Sequence, residues 1–474
     1  MALQRYSSRD EFGNLLATDE SEPFWSAPTA AAPLAARLML PGSKSLTNRE
    51  LVLAALADGP SLLRRPLHSR DSALMIEALK QLGVGIDEVP GDGVFGPDLR
   101  VSPTTELHGG VSIDTGLAGT VMRFLPPVAA LALGPVAVDG DAAARSRPMR
   151  TTIQALRDLG VEVDDDGSGT MPFTIHGAGQ DEGGELAIDA SASSQFVSGL
   201  LLAAPRFARG LELRHTGERL PSLPHIEMTI AVLAARGVVV ENPEPGVWRV
   251  PATPIAARDT VIESDLSNAA PFLAAALVAG GTVTIDGWPD RTTQVGAQLE
   301  HLLPRFGAVV RREGDALTVD GGAGVRGGAT LPGVDLDLSE AGELAPTFAA
   351  LAALASGPSR LTGIGHLRGH ETDRLAALRA DIERLGGSVI ELDGPEGGLA
   401  IEPAPLHGGP WLAYDDHRMA TSGALLGLAV EGVEVDDIGS TAKTLPEFPQ
   451  LWSQMLRGTH AAADPAAPIN WLAL

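Results

Sequence analysis

Lysine is scarce in this chain. Of its 35 Lys and Arg residues, only Lys44, Lys80 and Lys443 are lysines. Arginine is always charged, whereas a lysine ammonium shifts its pKa and can pass a proton, so a lysine retained in an Arg-rich chain invites a chemical reason. Lys44 stands in Leu-Pro-Gly-Ser-Lys-Ser-Leu-Thr-Asn-Arg-Glu, residues 40–50. Pro41 and Gly42 end a short apolar strand, and Ser43 sits where it would cap a helix with an apolar back half. The free N–H groups and positive dipole end of such a helix start suit an anion. A solvated lysine on an ordinary helix start accounts for this stretch equally well.

The same residue types recur at other expected helix starts. One set reads Ser43-Lys44-Ser45, Gly119-Thr120, Ser193-Ser194-Gln195, Ser267-Asn268, Glu340 to Glu343 and Asp416-His417-Arg418. A second set precedes the next helices: Arg145 to Pro148, Ser222 to His225, His370 to Arg374 and Thr441 to Thr444. Facing one another across a cleft, these starts bring Lys44, Arg49, Arg147, Arg374, Arg418 and Lys443 together with the carboxylates Glu343 and Glu371. Helix ends and guanidinium groups clamp phosphate and carboxylate. Embedded carboxylates and a lysine add acid–base capacity. Two other chemistries fail on spacing. A phosphate loop needs Gly directly before its Lys and again five residues earlier, where this chain has Ser43 and Leu38. His366 and His370 are four apart, but the His-Glu-x-x-His order of a zinc site is absent.

The elements that must position these residues form a repeat. Six Ala/Leu-rich stretches end at Gly59, Gly134, Gly210, Gly280, Gly357 and Gly432, spaced 75, 76, 70, 77 and 75 residues apart. A second helix–Gly–strand signature ends at Gly83, Gly160, Gly237, Gly307 and Gly386. Glycine after a helix, followed by an alternating β-branched run, is a helix C-cap leading into a strand. Each unit therefore reads strand–helix–strand–helix–strand–strand, and the sixth lacks its last strands. Phe272–Val278 and Phe348–Ala355 are so apolar that these helices are expected inside, with sheets around them. The fold class expected is α/β, with crossovers near Pro41–Gly42 and Val261–Glu263. The expected domains are residues 43–262, and 1–42 together with 263–474, with flexible ends at 1–30 and 458–474.

Composition narrows the partners. The formal net charge of −25 argues against nucleic acid and anionic membranes, although a locally basic pocket can sit on an acidic body. No apolar run is long enough to span a bilayer, and the N-terminus has no apolar signal core, so the cytoplasm is the expected location. The absence of cysteine removes disulfides, thiolate metal sites and cysteine nucleophiles.

Taken in order, LPGSKSLTNRE (40–50), GLAGTVMR (116–123), SRP (146–148), SSQF (193–196), HETDR (370–374), DDHRMA (415–420) and TAKTLPEF (441–448) resemble the 3-phosphoshikimate 1-carboxyvinyltransferase family of enolpyruvyl transferases. The likeness runs from about residue 36 to 456 and includes all six units. It implies a two-domain inside-out α/β barrel of six βαβαββ repeats, three per domain, with the active site between the domains. The implied reaction joins phosphoenolpyruvate to the 5-hydroxyl of 3-phosphoshikimate and releases phosphate, in aromatic amino-acid biosynthesis. Lys44, Ser45, Arg49, Ser193, Ser194, Gln195, Ser222, Glu343 and His370 would bind 3-phosphoshikimate. Lys44, Gly119, Gln195, Arg147, Arg374, Arg418 and Lys443 would bind phosphoenolpyruvate. Glu343, Lys44 and Glu371 would move the protons, with the assignment of each proton open. No metal or organic cofactor is implied, and a monomer is expected. Gly119 implies sensitivity to glyphosate.

The chain departs from the family pattern in places. Glu343 stands where Asp is frequent, His370 where Lys is frequent and His366 where Asn is frequent. Leu117 replaces an Asn and Phe124 a Pro. The histidines would make local charge pH-dependent. A sister enzyme acting on UDP-N-acetylglucosamine usually has Lys-Asn where this chain has Lys44-Ser45, and usually a Cys acid that this chain lacks. Loss of Lys44, Glu343 or Glu371 would have pointed to a non-catalytic relative, and all three are present. A repeat scaffold for protein partners leaves the polar helix starts unexplained.

Overall fold

The computed structural model describes residues 6–9, 15–17 and 24–458, apart from 92, 395 and 396. The greater part of the segments expected to be flexible, 1–30 and 458–474, lies outside the described residues. Within the first, Trp25–Ser26 pair as a strand with Val433–Val435, and Ala27 and Ala30 are buried.

Six sheets share one pattern. In each, a strand runs parallel to the next strand in the unit, which then pairs antiparallel with a third. A parallel pair cannot be joined by a hairpin and needs a crossover, usually a helix. In four of the six sheets an apolar helix is that crossover. Gly119–Ala129 joins Val111–Asp114 to Ala132–Asp139, and His417–Gly427 joins Gly409–Trp411 to Val433–Val435.

The other two sheets explain the crossovers in the chain. Leu34–Met39 pairs in parallel with Gly281–Asp286, more than 240 residues away, while Thr260–Val261 pairs in parallel with Ser61–Arg64. Two strands are thus exchanged between the front and back of the chain. The sixth unit, expected to lack its last strands, receives a third strand from Trp25–Ser26. The second helix of the fourth unit is not one helix but a series of short pieces over 295–306. Pro304 contributes no N–H to a continuous helix, and Gly296 lies so close to Leu266 that a Cβ would meet its backbone at 2.2 Å.

Burial follows the apolar pattern. Every residue of the helices Gly119–Ala129, Ala269–Ala279 and Ala345–Ala353 is buried, whereas Arg70–Gln81 buries one side only. A helix apolar all round belongs in a core. The buried apolar side chains form two large clusters. One draws on residues from Leu46 to Ile262, the other on Ala27 to Leu40 and Leu266 to Met455. Among the described residues no helix is long and apolar enough to cross a membrane.

Candidate active site

Lys44 begins its helix where the two exchanged segments run side by side. Gly42 bridges to Ser264, the Ser43 N–H donates to the Glu263 carbonyl at 2.8 Å, and the Asp265 N–H donates to the Pro41 carbonyl at 2.9 Å. Glycine is required at 42, because a Cβ would stand 2.3 Å from the Arg65 carbonyl oxygen. Ser43 occupies the cap position but its hydroxyl makes no cap bond. Instead Asp265, from the other crossover, accepts from the Lys44 N–H at 3.1 Å and from the Asn268 N–H at 3.0 Å. One carboxylate therefore ties two helix starts together. The Lys44 ammonium lies 3.3 Å from Asp71, a buried carboxylate in the first turn of the helix Arg70–Gln81.

Glu343 is the meeting point of the two cores. Its Oε2 accepts from Arg418 Nη2 and from Ser267 Oγ, both at 2.9 Å, and its Oε1 lies 3.4 Å from His225 Nε2. His225 belongs to the helix Leu223–Ala235, on the opposite side of the crossovers. Burial alone would raise the Glu343 carboxyl. The charges of Arg418, His225 and Lys44, with the Ser267 hydrogen bond, overcome that and hold it far below the usual carboxylate range. Lys44, Ser45, His225, Ser267, Glu343 and Arg418 enclose a space of only ≈ 20 Å³.

A second carboxylate repeats the arrangement. Glu371 takes Lys443 Nζ at 3.2 Å on one oxygen and Arg374 Nη2 at 3.0 Å on the other. Burial would raise it, but Lys443, Arg374, Arg147 and His370 together hold it well below its ordinary value. Arg374 is itself fixed by Asp416 through contacts of 2.7 and 3.2 Å. His370 Nδ1 is 3.4 Å from Arg374 Nη1, and burial followed by the Arg374 charge pushes the ring well below 6.5. Burial also lowers Lys443, against the pull of Glu371.

Gly119, Gln195 and Arg147 form a third group. A Cβ on Gly119 would stand 3.0 Å from Gln195 Oε1 and 3.4 Å from both Arg147 Nη2 and Arg123 Nη1. Gln195 Oε1, Arg147 Nε and Arg123 Nε are buried with no hydrogen-bond partner among the described residues. Acceptor and donor atoms left open in this way are suited to a polar ligand.

The remaining expected residues divide. Ser45 shares the Lys44 space. Arg49 is turned inward: it donates to Thr229 Oγ1, the Ser45 carbonyl and the His225 carbonyl at 2.8–2.9 Å, and lies 5.1 Å from the centre of the Phe124 ring. Phe124, one of the residues that depart from the family pattern, is thus the platform for Arg49. Ser193 Oγ accepts from the Gln195 N–H at 3.2 Å. Ser194 and Ser222 occupy cap positions without making a side-chain cap bond, and Ser222 has a left-handed backbone at φ 54°. Of Ser43, Ser193, Ser194 and Ser222, all expected to cap, only Ser193, one residue before the cap position, accepts from a helix-start N–H. Ser222 lines a separate cleft of ≈ 530 Å³ with Arg219, Glu340, His366 and Arg368. His366 faces it with its ring lowered to about 4 by burial and by Arg374 and Arg219. Sequence reasoning missed His225, Asp71 and Asp265 as site residues. His225 follows Ser222 within a motif already singled out, so its position was available; the two aspartates carry no motif.

This arrangement of helix starts, basic clamps and two buried carboxylates sits in the fold of the enolpyruvyl transferases. The chain superposes on EPSP synthase from Acinetobacter baumannii with a TM-score of 0.72 at 23% identity, covering 91% of this chain and 97% of that one. It also superposes on the enolpyruvyl transferase NikO from Streptomyces tendae with a TM-score of 0.70 at 18% identity, covering 92% and 98%. The sequence then narrows the class. The family model described as EPSP synthase (3-phosphoshikimate 1-carboxyvinyltransferase) matches residues 28–452, and the chain belongs to that family. It is 57% identical over 441 residues to a 3-phosphoshikimate 1-carboxyvinyltransferase of Kocuria rhizophila, covering 92% of this chain and 97% of the relative.

Proposed function

We propose that this chain transfers the enolpyruvyl group of phosphoenolpyruvate to the 5-hydroxyl of 3-phosphoshikimate, giving 5-O-(1-carboxyvinyl)-3-phosphoshikimate and phosphate. The observation that carries the reading is the joining of Lys44, Glu343 and Arg418 at one point between the two apolar cores, in a chain of this family. The two cores support a division into domains 43–262 and 1–42 with 263–474, each a three-unit inside-out barrel with its helices within.

In the reaction the 5-hydroxyl oxygen bonds to C2 of phosphoenolpyruvate while its C3 methylene gains a proton. The tetrahedral adduct then loses a proton from the new methyl group as the C–O bond to phosphate breaks. Glu343, ionised at neutral pH, takes the hydroxyl proton. Lys44 and Glu371 serve the methylene. The phosphate and carboxylate of phosphoenolpyruvate are held by Lys44, Gly119, Arg147, Gln195, Arg374, Arg418 and Lys443. Of these, Arg418 is now paired with Glu343, and Arg374 and Lys443 with Glu371. An anionic substrate competes for them, which raises both carboxyls toward working values as it binds. Lys44, Ser45, Arg49, Ser193, Ser194, Gln195, Ser222, Glu343 and His370 form the 3-phosphoshikimate side.

The test is phosphate release from phosphoenolpyruvate, in chelator, with 3-phosphoshikimate or UDP-N-acetylglucosamine as acceptor. Turnover is expected with the first alone; turnover with the second alone would overturn the assignment.

A further inference from the structure

The helix Arg374–Arg384 grips a single loop at two points seven residues apart, which places both on one helix face. At one end Arg374 donates to Asp416 from Nε at 2.7 Å and from Nη2 at 3.2 Å. At the other, Asp381 accepts from the Tyr414 hydroxyl at 3.4 Å and from the Leu412 N–H, and pairs with Arg384. Between these anchors Tyr414 and Asp415 both have φ of 55°. Two consecutive side-chain-bearing residues in the left-handed region persist only where the surroundings over-determine them. The loop then delivers Asp416, which caps the next helix by accepting from the Arg418 N–H at 2.9 Å, and Arg418, which reaches Glu343.

Asp381 is fully buried, and its Oδ2 has no hydrogen-bond partner among the described residues. Burial pushes its carboxyl up to about 7 despite Arg384, the Leu412 N–H and Tyr414. A buried carboxylate with an incomplete shell is costly, and packing alone would favour an apolar residue.

We propose that Asp381 and Tyr414 are positioning residues for the phosphoenolpyruvate clamp, holding the left-handed turn at 414–415 so that Asp416 and Arg418 are set at the required distance from Glu343. The proposal rests on the enolpyruvyl-transfer reading. Neither residue touches the reacting groups, so the effect is felt in the substrate that Arg418 and Arg374 hold.

Asp381→Asn and Tyr414→Phe are compared with the unmodified chain, each substrate being varied at saturation of the other. A displaced clamp predicts that Asp381→Asn raises the KM for phosphoenolpyruvate about tenfold to a hundredfold, with the KM for 3-phosphoshikimate changed less than about twofold. Tyr414→Phe shifts the same parameter in the same direction by less. If Asp381→Asn does not fold, Tyr414→Phe decides. Unchanged KM values, or the two rising together, would overturn the proposal and leave Asp381 a fold residue. An unmodified chain without turnover would instead contradict the transfer reading, and the clamp with it.

Discussion

His225 Nε2 and Glu343 Oε1 lie 3.4 Å apart, although their neighbours Ile226 and Leu344 belong to different apolar cores and the two residues are 118 positions apart in the chain. The contact sets a ring of the helix Leu223–Ala235 against the carboxylate. Burial first, then Arg49, Arg418 and Lys44, lower the imidazole against the pull of Glu343. A neutral ring at 3.4 Å from Oε1 braces the carboxylate without neutralising it. His225→Phe is therefore expected to lower kcat by about tenfold to a hundredfold, on the scale of disturbing a general base. Steady-state kinetics check this, and an unchanged kcat would show that the ring is only packing.

Lys44→Met removes the ammonium from a space it shares with Glu343 and leaves the buried Asp71 carboxylate without its 3.3 Å partner. The expected result is a folded protein with a lower melting temperature and a loss of kcat/KM of about a thousandfold or more. Phosphate release and a circular-dichroism melt, run on the same preparation, read both. Near-normal turnover would return Lys44 to the role of a surface lysine.

Gly119→Ala places a methyl group 3.0 Å from Gln195 Oε1 and 3.4 Å from the Arg147 guanidinium. Neighbours that close must give way, so the KM for phosphoenolpyruvate is expected to rise about tenfold, with the 3-phosphoshikimate KM little changed. The unmodified chain, with Gly119 in place, is expected to be inhibited by glyphosate in competition with phosphoenolpyruvate. Full activity in millimolar-range inhibitor at low phosphoenolpyruvate would contradict that.

The pattern of helix starts was legible because it is carried by local spacing. Helix, Gly and alternating strand recur every 70 to 77 residues, and the apolar faces fix which helices are inside. The strand exchange was legible only as crossover points. That Leu34–Met39 joins Gly281–Asp286, and that Trp25–Ser26 completes the last sheet, depends on pairing between distant segments that no local signal encodes. The charged residues that the structure brings together could be picked out by type and place. What each touches could not be, since Asp265 capping Lys44 and Phe124 supporting Arg49 are products of tertiary packing. The serines show the same limit from the other side. Their types suited capping, yet the hydroxyls of Ser43, Ser194 and Ser222 make no cap bond.

The buried histidines predict a pH dependence of stability. His366 is lowered to about 4, and His225, His370 and His417 are lowered as well, each chiefly by burial. Histidines of the unfolded chain titrate near 6.5, so below about that pH the unfolded state takes up protons that the folded state refuses. This contribution is complete above about pH 6.5 and is lost as pH falls toward the folded values. Asp381, raised to about 7, acts in the opposite sense over part of the same range. The comparison that isolates the effect is His366→Asn against the unmodified chain. The variant should lose less melting temperature between roughly pH 6.5 and 4.5. Parallel curves would contradict the buried-neutral assignment.

The central claim is that Glu343, Lys44 and Glu371 drive enolpyruvyl transfer at the junction of the two cores. The most direct measurement is product identification by 31P NMR and mass spectrometry after incubating phosphoenolpyruvate and 3-phosphoshikimate, in chelator, with the unmodified chain and with Glu343→Gln. The account predicts 5-O-(1-carboxyvinyl)-3-phosphoshikimate and an equal amount of phosphate from the first, and a loss of rate of about a hundredfold or more in the second. Phosphate without the carboxyvinyl ether, or an undiminished rate with Glu343→Gln, would contradict it.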